Sequence, residues 1–249
     1  MPQWQTPLRL PDRKLSPIIV TAILLLAGCA QRDSCLPVNA PAIAPVTAPV
    51  TAPATQPAVA ASNLSLFDGK TLNGWTVTDF AGHGEPRVED GCIVLPSGES
   101  LTGLNYTGKT PTTNYEVELD AKRVQGSDFF CGLTVPVNDS YASLILGGWG
   151  GGVCGISSLD EQDAARNETT TYRKFDTDQW YHIRLRIEPD RIKAWVDDEN
   201  IVAVMLKGVK VSVRSEVEPS RPFGIASYQT TAAIRNIQIH VIAEEDRDK

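Results

Sequence analysis

Residues 167 to 173, NETTTYR, concentrate side chains that could do acid–base and binding chemistry. As a strand, this stretch would place Glu168 and Tyr172 on one face and Arg173 on the other. A carboxylate can act as a general base or a metal ligand, and a phenol or a guanidinium can bind hydroxyl groups. We therefore take Glu168 as a candidate catalytic residue and Tyr172 and Arg173 as candidate binding residues. A strand with so few apolar residues lies either at a sheet edge or along a wet groove, and both stay open.

A second candidate catalytic carboxylate, Asp128, comes earlier in the chain and is followed by a glycine-rich stretch around Trp149. Asp128 is either a catalytic group or an ordinary turn residue. The glycines at 147, 148, 150, 151 and 152 are not followed by Lys-Ser or Lys-Thr, so they do not form a phosphate-binding loop. Glycines let a backbone approach a ligand closely, and Trp149 would then offer a stacking platform for a sugar ring. The alternative is a tight hairpin with an apolar tip.

Two other patterns of ionisable residues carry less information. Glu118 and Asp120 resemble the start of the E-x-D-x-x-E signature of family 16 glycosidases, but Lys122 and Arg123 stand where the third acid should be. A solvated strand face is the alternative account of these acids. The three histidines are scattered, so the sequence supports no histidine metal cluster and no Ser-His-Asp grouping. A divalent metal ion bound by carboxylates stays possible.

The elements that would position these residues are β-strands. Apolar and polar residues alternate along most segments after residue 63, and turn residues separate the segments at short intervals. Helical periodicity is nearly absent, with one possible turn at residues 160–166. The sequence predicts an all-β antiparallel sandwich. The clearest strand segments are Tyr115–Ala121, Trp180–Ile187, Arg191–Val196, Ile201–Leu206, Phe223–Tyr228 and Ile234–Val241.

The first turns of this sandwich lie in residues 66 to 75, LFDGKTLNGW. Asp68-Gly69 and Asn73-Gly74 are both tight-turn dipeptides, because glycine takes positive φ freely and Asx side chains stabilise turns. The string resembles the opening of the 3-keto-disaccharide hydrolase domain family. Later segments resemble the family's late hairpin and closing strand pair, in the right order. Those segments are QWYHIR at 179–184, IKAWVDDE at 192–199, FGIA at 223–226 and AIRNI at 233–237.

The resemblance covers residues 64–242 and implies a jelly-roll, concanavalin A-like fold acting on 3-keto sugars. A 3-keto group acidifies the C2 proton, so a base and an oxyanion partner could break the glycosidic bond. Glu168 or Asp128 with Arg173 would supply these groups. The family commonly carries Glu and Asp on a middle strand, whereas residues 143–146 of this chain read SLIL.

The N-terminus has the pattern of a bacterial lipoprotein leader. Arg9, Arg13 and Lys14 precede the apolar run 15–27, which is too short to span a bilayer comfortably. The run ends in Leu-Ala-Gly-Cys, which resembles a lipobox with lipidation at Cys29. The alternative is an ordinary signal peptide with an incidental cysteine. We expect an exported, lipid-anchored protein of the cell envelope, with the outer membrane as the expected site because Ala30 follows the cysteine.

The segment between leader and domain is rich in proline, alanine and threonine, with a proline at every fourth position from Pro37 to Pro57. Proline removes backbone donors and favours extended geometry, so this segment cannot form a core. The predicted organisation is a leader at 1–28, a disordered tether at 29–62, the sandwich at 63–243 and a charged tail at 244–249. A proline-rich docking site is the alternative reading of the tether.

Composition limits the partners of the chain. The net charge is −7, and removal of residues 1–28 would bring it to about −9 because three basic residues and one acidic residue leave. An acidic protein is a poor binder of nucleic acid. The cysteines other than Cys29 are Cys35, Cys92, Cys131 and Cys154, and the sequence leaves open free buried thiols or one disulfide.

These observations predict a glycan-directed protein anchored to a membrane by its N-terminal lipid. Three functions stay open. The chain could cleave 3-keto-glycosides, it could bind carbohydrate without catalysis, or it could serve as an envelope adhesion or assembly module.

Overall fold

The structure is a computed structural model, and it describes residues 63–243. The predicted leader, the lipidation of Cys29, the tether with Cys35, and the charged tail lie outside the described residues. Within residues 63–243, almost all regular structure is β-strand, with one 3-10 helix at Ser215–Ser220. The strands are β1 (Asn63–Ser65), β2 (Trp75–Val77), β3 (Arg87–Glu89), β4 (Cys92–Leu95), β5 (Leu101–Tyr106), β6 (Tyr115–Gly126), β7 (Cys131–Val137), β8 (Ser140–Gly148), β9 (Val153–Ser157), β10 (Thr171–Tyr172), β11 (Tyr181–Ile187), β12 (Arg191–Val196), β13 (Glu199–Met205), β14 (Gly224–Tyr228) and β15 (Thr230–Val241).

These strands form two antiparallel sheets. The first sheet has the order β13-β12-β11-β6-β15-β4-β3, with β1 also paired to β15. The second has the order β10-β9-β8-β7-β14-β5-β2. In the first sheet β15 lies between β6 and β4, and in the second β14 lies between β7 and β5, so strands distant in the chain are paired as in a jelly roll. The all-β sandwich prediction is confirmed.

The core lies between the sheets because alternate residues of each strand point inward. On β6, Tyr115, Val117 and Leu119 are fully buried, and on β8 so is Leu144. Burial of such a side chain contributes about 1.5–3 kcal/mol. Tyr115 also donates its hydroxyl to the carbonyl of Pro136 on β7, at 2.6 Å, which ties the two sheets together through the core.

The LFDGKTLNGW segment forms a corner that hydrogen bonds hold together. One carboxylate oxygen of Asp68 accepts the backbone N–H groups of Lys70 and Thr71 at 2.8 and 2.7 Å. The indole N–H of Trp75 donates to the carbonyl of Leu66 at 2.8 Å and so closes the corner against the core. The two predicted turns are present, since Gly69 and Gly74 have φ of +73° and +83°.

The outer face of the first sheet is covered by charged side chains. The acids of β6 share this face as predicted, but they are paired across strands and only partly solvated. Arg186 donates to Glu116 at 2.7 Å, and Glu116 is only 6% exposed. Burial alone would raise the pKa of Asp120, but hydrogen bonds from His182, Asn236 and Arg235 hold it below its ordinary value.

The described cysteines are all free and buried: Cys92, Cys131 and Cys154. Burial raises the pKa of the Cys131 thiol to about 12 and that of Cys154 to about 11, so both stay protonated and unreactive at neutral pH. For this part of the chain, the reading as free thiols is confirmed. No helix among residues 63–243 has the length and apolar character needed to cross a membrane.

Candidate functional site

The outer face of the second sheet differs from that of the first because a row of small residues crosses it. Register places Gly103, Ala226, Gly132 and Gly155 in this row, with Ile145 of β8 between the last two. Loops pack directly onto this row. A Cβ on Gly132 would lie 2.9 Å from the ring of Phe129, and one on Gly103 would lie 3.0 Å from the ring of Phe80. Glycine in a strand interior often marks such a close approach.

Between the covering loops the face opens into a cleft of about 490 Å³. This volume suits a small ligand. Its walls are mainly apolar, and a few polar side chains stand among them. The lining residues are Ser100, Leu101, Asp128, Phe129, Ile145, Trp149, Ser157, Arg214, Glu216, Val217 and Tyr228.

Trp149 stands at the tip of the β8–β9 hairpin and is the large aromatic surface that the cleft presents to solvent. Its side chain is 45% exposed, and its backbone has φ of +50°, which is uncommon for a bulky residue. Asp128 holds this tip in place. One of its carboxylate oxygens accepts the N–H of Gly150 at 3.0 Å, and the other accepts the N–H of Phe129 at 2.8 Å. The structure therefore brings the predicted residues Asp128 and Trp149 together.

Two stacked aromatic rings also line the cleft. Phe129 and Tyr228 stack with their ring centroids 5.9 Å apart and their planes at 24°. Leu101 and Val217 pack with this pair on the outer face of the sheet. The cleft thus combines an apolar cluster with an exposed indole.

The rim carries an ion pair between Arg214, just before the 3-10 helix, and Glu216 in its first turn. Arg214 donates to Glu216 at 2.7 Å and reaches Asp163 at 3.4 Å. The hydrogen bond from Arg214 lowers the pKa of Glu216 to about 2. Glu216 is consequently ionised at neutral pH and too weakly basic to be a good general base. The pair can instead offer donors and acceptors to a polar ligand.

Hydroxyl groups form a second row beside the row of small residues. Ser157, Ser143 and Thr134 are adjacent on β9, β8 and β7. Ser143 and Thr134 share a hydrogen bond of 2.8 Å, whereas the buried Oγ of Ser157 has no partner among the described residues. The family resemblance leads one to expect acids on β8, and the β8 positions on this face hold Ser143 and Ile145.

A second cavity of about 500 Å³, which we call the side cavity, lies on the other side of the Trp149 turn. The predicted binding residues Tyr172 and Arg173 line it. Tyr172 is 75% exposed, and Arg173 is paired with Asp197 and Glu199 at 2.7 Å each. The full lining consists of Arg123, Gly126, Ser127, Gly150, Gly151, Gly152, Tyr172, Arg173, Lys174 and Phe175.

Glu168 lies apart from both cavities, exposed on a turn. The polar strand expected over 167–173 is wrong for its first four residues, and only Thr171–Tyr172 pairs, at the edge of the second sheet. The reason is local capping by Asn167. Its side chain accepts from the N–H of Thr169 at 2.9 Å and donates to the carbonyl of Ile156 at 2.8 Å, which holds a turn in place of a strand.

Sequence reasoning missed most of the cleft lining. Alternation along β14 gives a usable signal, because it places Tyr228 on the same face as Ala226. Arg214 and Glu216 lie at the start of the 3-10 helix, in a segment without strand periodicity, so alternation gives no signal for them. Among residues 63–243 no three His, Cys, Asp or Glu side chains come together as a metal site, so we assign no residues to the divalent ion that the sequence left possible.

Comparison with known proteins identifies a matching sequence family and solved structures of similar fold. A sequence model of the 3-keto-alpha-glucoside-1,2-lyase-like domain matches residues 63–240, so the predicted family resemblance is confirmed. None of the curated proteins matches the chain. A Bacillus subtilis protein of unknown function with a galectin-like fold has a TM-score of 0.51 at 11% identity, covering 75% of this chain and 98% of its own.

Two further solved structures share the architecture at low identity. A glycosyl-hydrolase-like protein from Parabacteroides distasonis has a TM-score of 0.48 at 15% identity, covering 72% of this chain and 94% of its own. The carbohydrate-binding module CBM66 from Bacillus subtilis has a TM-score of 0.43 at 16% identity, covering 66% and 94%. At such identities these likenesses concern the fold alone.

Proposed function

The chain belongs to the 3-keto-alpha-glucoside-1,2-lyase-like domain family, and we propose that it binds a glycan in the cleft, with Trp149 stacking on a sugar ring. The observation that carries the proposal is the exposed indole of Trp149, fixed in a left-handed turn by Asp128, in a cleft that the stacked pair of Phe129 and Tyr228 also lines. A backbone held in a sparsely populated conformation is often part of a ligand site. The polar rim and the unpartnered Ser157 hydroxyl supply hydrogen-bonding groups for sugar hydroxyls.

Binding is tested by titrating the purified protein with a glycan panel that includes α-glucosides and 3-keto-glycosides, while tryptophan fluorescence is recorded. We expect saturable quenching that Trp149→Ala abolishes, with affinity reduced about tenfold or more. Trp195→Ala is the matched control, because Trp195 lies on the outer face of the first sheet under Arg184. Unchanged fluorescence across the panel, or equal loss in both variants, contradicts glycan binding in the cleft.

Catalysis is the second candidate, and the observation that favours it is the carboxylate of Asp128 in the cleft lining. In a 3-keto-glycoside, a base would take the proton from C2, and the C2–H electrons would form a C1=C2 double bond as the C1–O bond breaks. The departing oxygen keeps the bond electrons and takes up a proton. Each carboxylate oxygen of Asp128 accepts one backbone hydrogen bond and retains lone-pair capacity for that proton.

The roles of the two predicted catalytic carboxylates can be separated by neutral, isosteric variants. We expect Asp128→Asn to reduce turnover of a 3-keto-glycoside by about 100-fold or more, the usual contribution of a general base. Glu168→Gln, exposed and outside the cleft lining, should change turnover less than about threefold. The opposite ranking would assign the reaction to Glu168. No turnover with or without divalent metal leaves carbohydrate binding as the function.

The N-terminal pattern supports a further part of the proposal, namely that the domain is exported and tethered to a membrane by lipid on Cys29. Metabolic labelling with a radioactive fatty acid should mark the protein, and Cys29→Ser should remove the label and release the protein from membranes. A Cys29→Ser variant that stays in the membrane fraction would contradict the lipid anchor.

A further inference from the structure

The side cavity has an unusual charge for this acidic chain. Its lining contains three cationic side chains, Arg123, Arg173 and Lys174, and no acidic side chain. The sequence as a whole has 30 acidic residues against 23 basic ones. A concave site lined by one sign of charge concentrates the field of that sign.

Arg123 is a buried cation that donates its hydrogen bonds to carbonyl groups, and the negative charge of Asp128 acts on it from beyond ion-pair distance. It is 6% exposed, and it donates to the carbonyl oxygens of Phe175, Asp128, Gly147 and Gly151 at 3.2 to 3.4 Å. No carboxylate lies within ion-pair distance of it among the described residues, and its buried Nε has no acceptor there. Burial lowers the pKa of Arg123 from its ordinary value. A nearby oxyanion would stabilise such a cation.

The other two cations have their counterions outside the lining. Arg173 pairs with Asp197 and Glu199, and both acids lie outside the lining. Lys174 pairs with Asp176, and the two side chains are 85% and 57% exposed. An exposed pair of this kind contributes little, so Lys174 can turn into the cavity at small cost.

The side cavity adjoins the cleft, because residues that are consecutive in the chain line one or the other. Ser127 lines the side cavity and Asp128 lines the cleft, and likewise Gly150 and Trp149. Consecutive Cα atoms are about 3.8 Å apart, so a sugar stacked on Trp149 lies next to the side cavity. Gly150 and Gly151 keep the intervening turn narrow, with φ of +87° and +109°.

We propose that the side cavity is an anion subsite, which receives a carboxylate or sulfate substituent of the glycan bound in the cleft. The inference rests on the proposed glycan binding and adds the substrate class, an acidic glycan. Lys174 and the phenol of Tyr172, at the rim, contact the anion directly. Arg123 acts through its field, because its Nη groups are already occupied by carbonyl oxygens.

The test compares the affinities of three probes for the full chain by calorimetry: maltotetraose, its C6-carboxylated form and its 6-O-sulfated form. We expect the charged forms to bind about tenfold more tightly than maltotetraose at low salt, as charge-assisted hydrogen bonds predict. The preference should shrink severalfold at about 0.5 M salt, where the Debye length is short. The ratio of the two charged forms then separates carboxylate from sulfate recognition.

Variants test which residues cause the preference for the charged probes over maltotetraose. Lys174→Gln, at an exposed position, should reduce it to about threefold or less while leaving the affinity for maltotetraose unchanged. Arg123→Lys retains the charge and should retain most of the preference, whereas Arg123→Gln should lose it. Lys109→Gln, an exposed lysine outside both linings, is the matched control and should change neither affinity.

The two proposals fail in different ways. Equal binding of neutral and charged probes, or a preference that survives Lys174→Gln and Arg123→Gln, overturns the anion subsite and leaves glycan binding standing. Loss of affinity for all three probes in Trp149→Ala supports stacking on Trp149, which is the binding mode that the anion subsite requires. Absence of binding of every probe to the wild-type protein overturns the inference, and the glycan panel then decides the proposed function separately.

Discussion

The outer faces of the two sheets are both built from antiparallel strands, yet the first sheet carries a layer of paired charges and the second carries a cleft. On the first sheet, long side chains such as Glu116 and Arg186 satisfy each other across strands. On the second, Gly103, Gly132 and Gly155 keep the surface low, so that loops carrying Phe80, Phe129 and Trp149 can rise above it and enclose space. The size of the outward residues, and not the strand pattern, decides which face can hold a ligand.

The largest effect should come from breaking the charge layer of the first sheet. Glu116→Gln leaves Arg186 and Arg184 without their buried anionic partner, and we expect the free energy of unfolding to fall by about 3 kcal/mol. Urea denaturation measures this change. Glu118→Gln on the same strand is the matched control. Glu118 forms an ion pair with His240 at 3.5 Å, and its loss should cost less than about 1 kcal/mol. Equal costs would show that the layer is no more than a solvated surface.

A smaller effect should follow from adding a methyl group to the row of small residues on the outer face of the second sheet. A Cβ at Gly103 would stand 2.9 Å from the carbonyl of Ile225 and 3.0 Å from the ring of Phe80. We expect Gly103→Ala to destabilise the domain by about 1–3 kcal/mol, because backbone must move. Gly152→Ala meets only an ordinary contact of 3.6 Å and should be tolerated. Thermal unfolding of the pair tests whether the row of small residues is required by the loops above it.

The smallest effect concerns the rim of the cleft and depends on pH. The pKa of Glu216, lowered to about 2 by Arg214, means that the pair stabilises the fold above the ordinary carboxyl pKa. This contribution is lost as the pH falls from about 4.5 towards about 2. Because both side chains are more than a third exposed, we expect less than about 1 kcal/mol. The difference in Tm between wild type and Glu216→Gln should shrink over this pH window, and a constant difference would contradict the pairing.

Sequence alone was sufficient for the fold because burial imposes a period of two on strands such as β6, β11 and β12 of the first sheet. The segment around Leu119 and the corner around Trp75 are both present as their patterns predict. The candidate site was only partly predictable. Asp128 and Trp149 stand in the sequence as a carboxylate and an aromatic beside glycines, but their pairing through Gly150 is a tertiary contact.

The remaining site residues could not be predicted, for physical reasons that differ. Arg214 reaches the cleft through a loop whose path depends on what it packs against. Glu168 lost its strand position because Asn167 caps a turn, a competition between side-chain and ladder hydrogen bonds that periodicity does not register. Arg123 follows Val117, Leu119 and Ala121 at the alternate, inward positions of β6, but carbonyl groups from several distant segments meet around it, and a strand pattern does not show those contacts.

The most direct test of the central claim is to record which indole responds when a glycan binds. In a ¹H–¹⁵N spectrum each tryptophan side chain gives its own N–H signal, so the two faces report separately. We predict that titration with a bound glycan shifts the Trp149 signal and leaves those of Trp180 and Trp195, on the first sheet's side, unchanged. Shifts confined to Trp180 and Trp195 would place the glycan on the charged face and contradict the account.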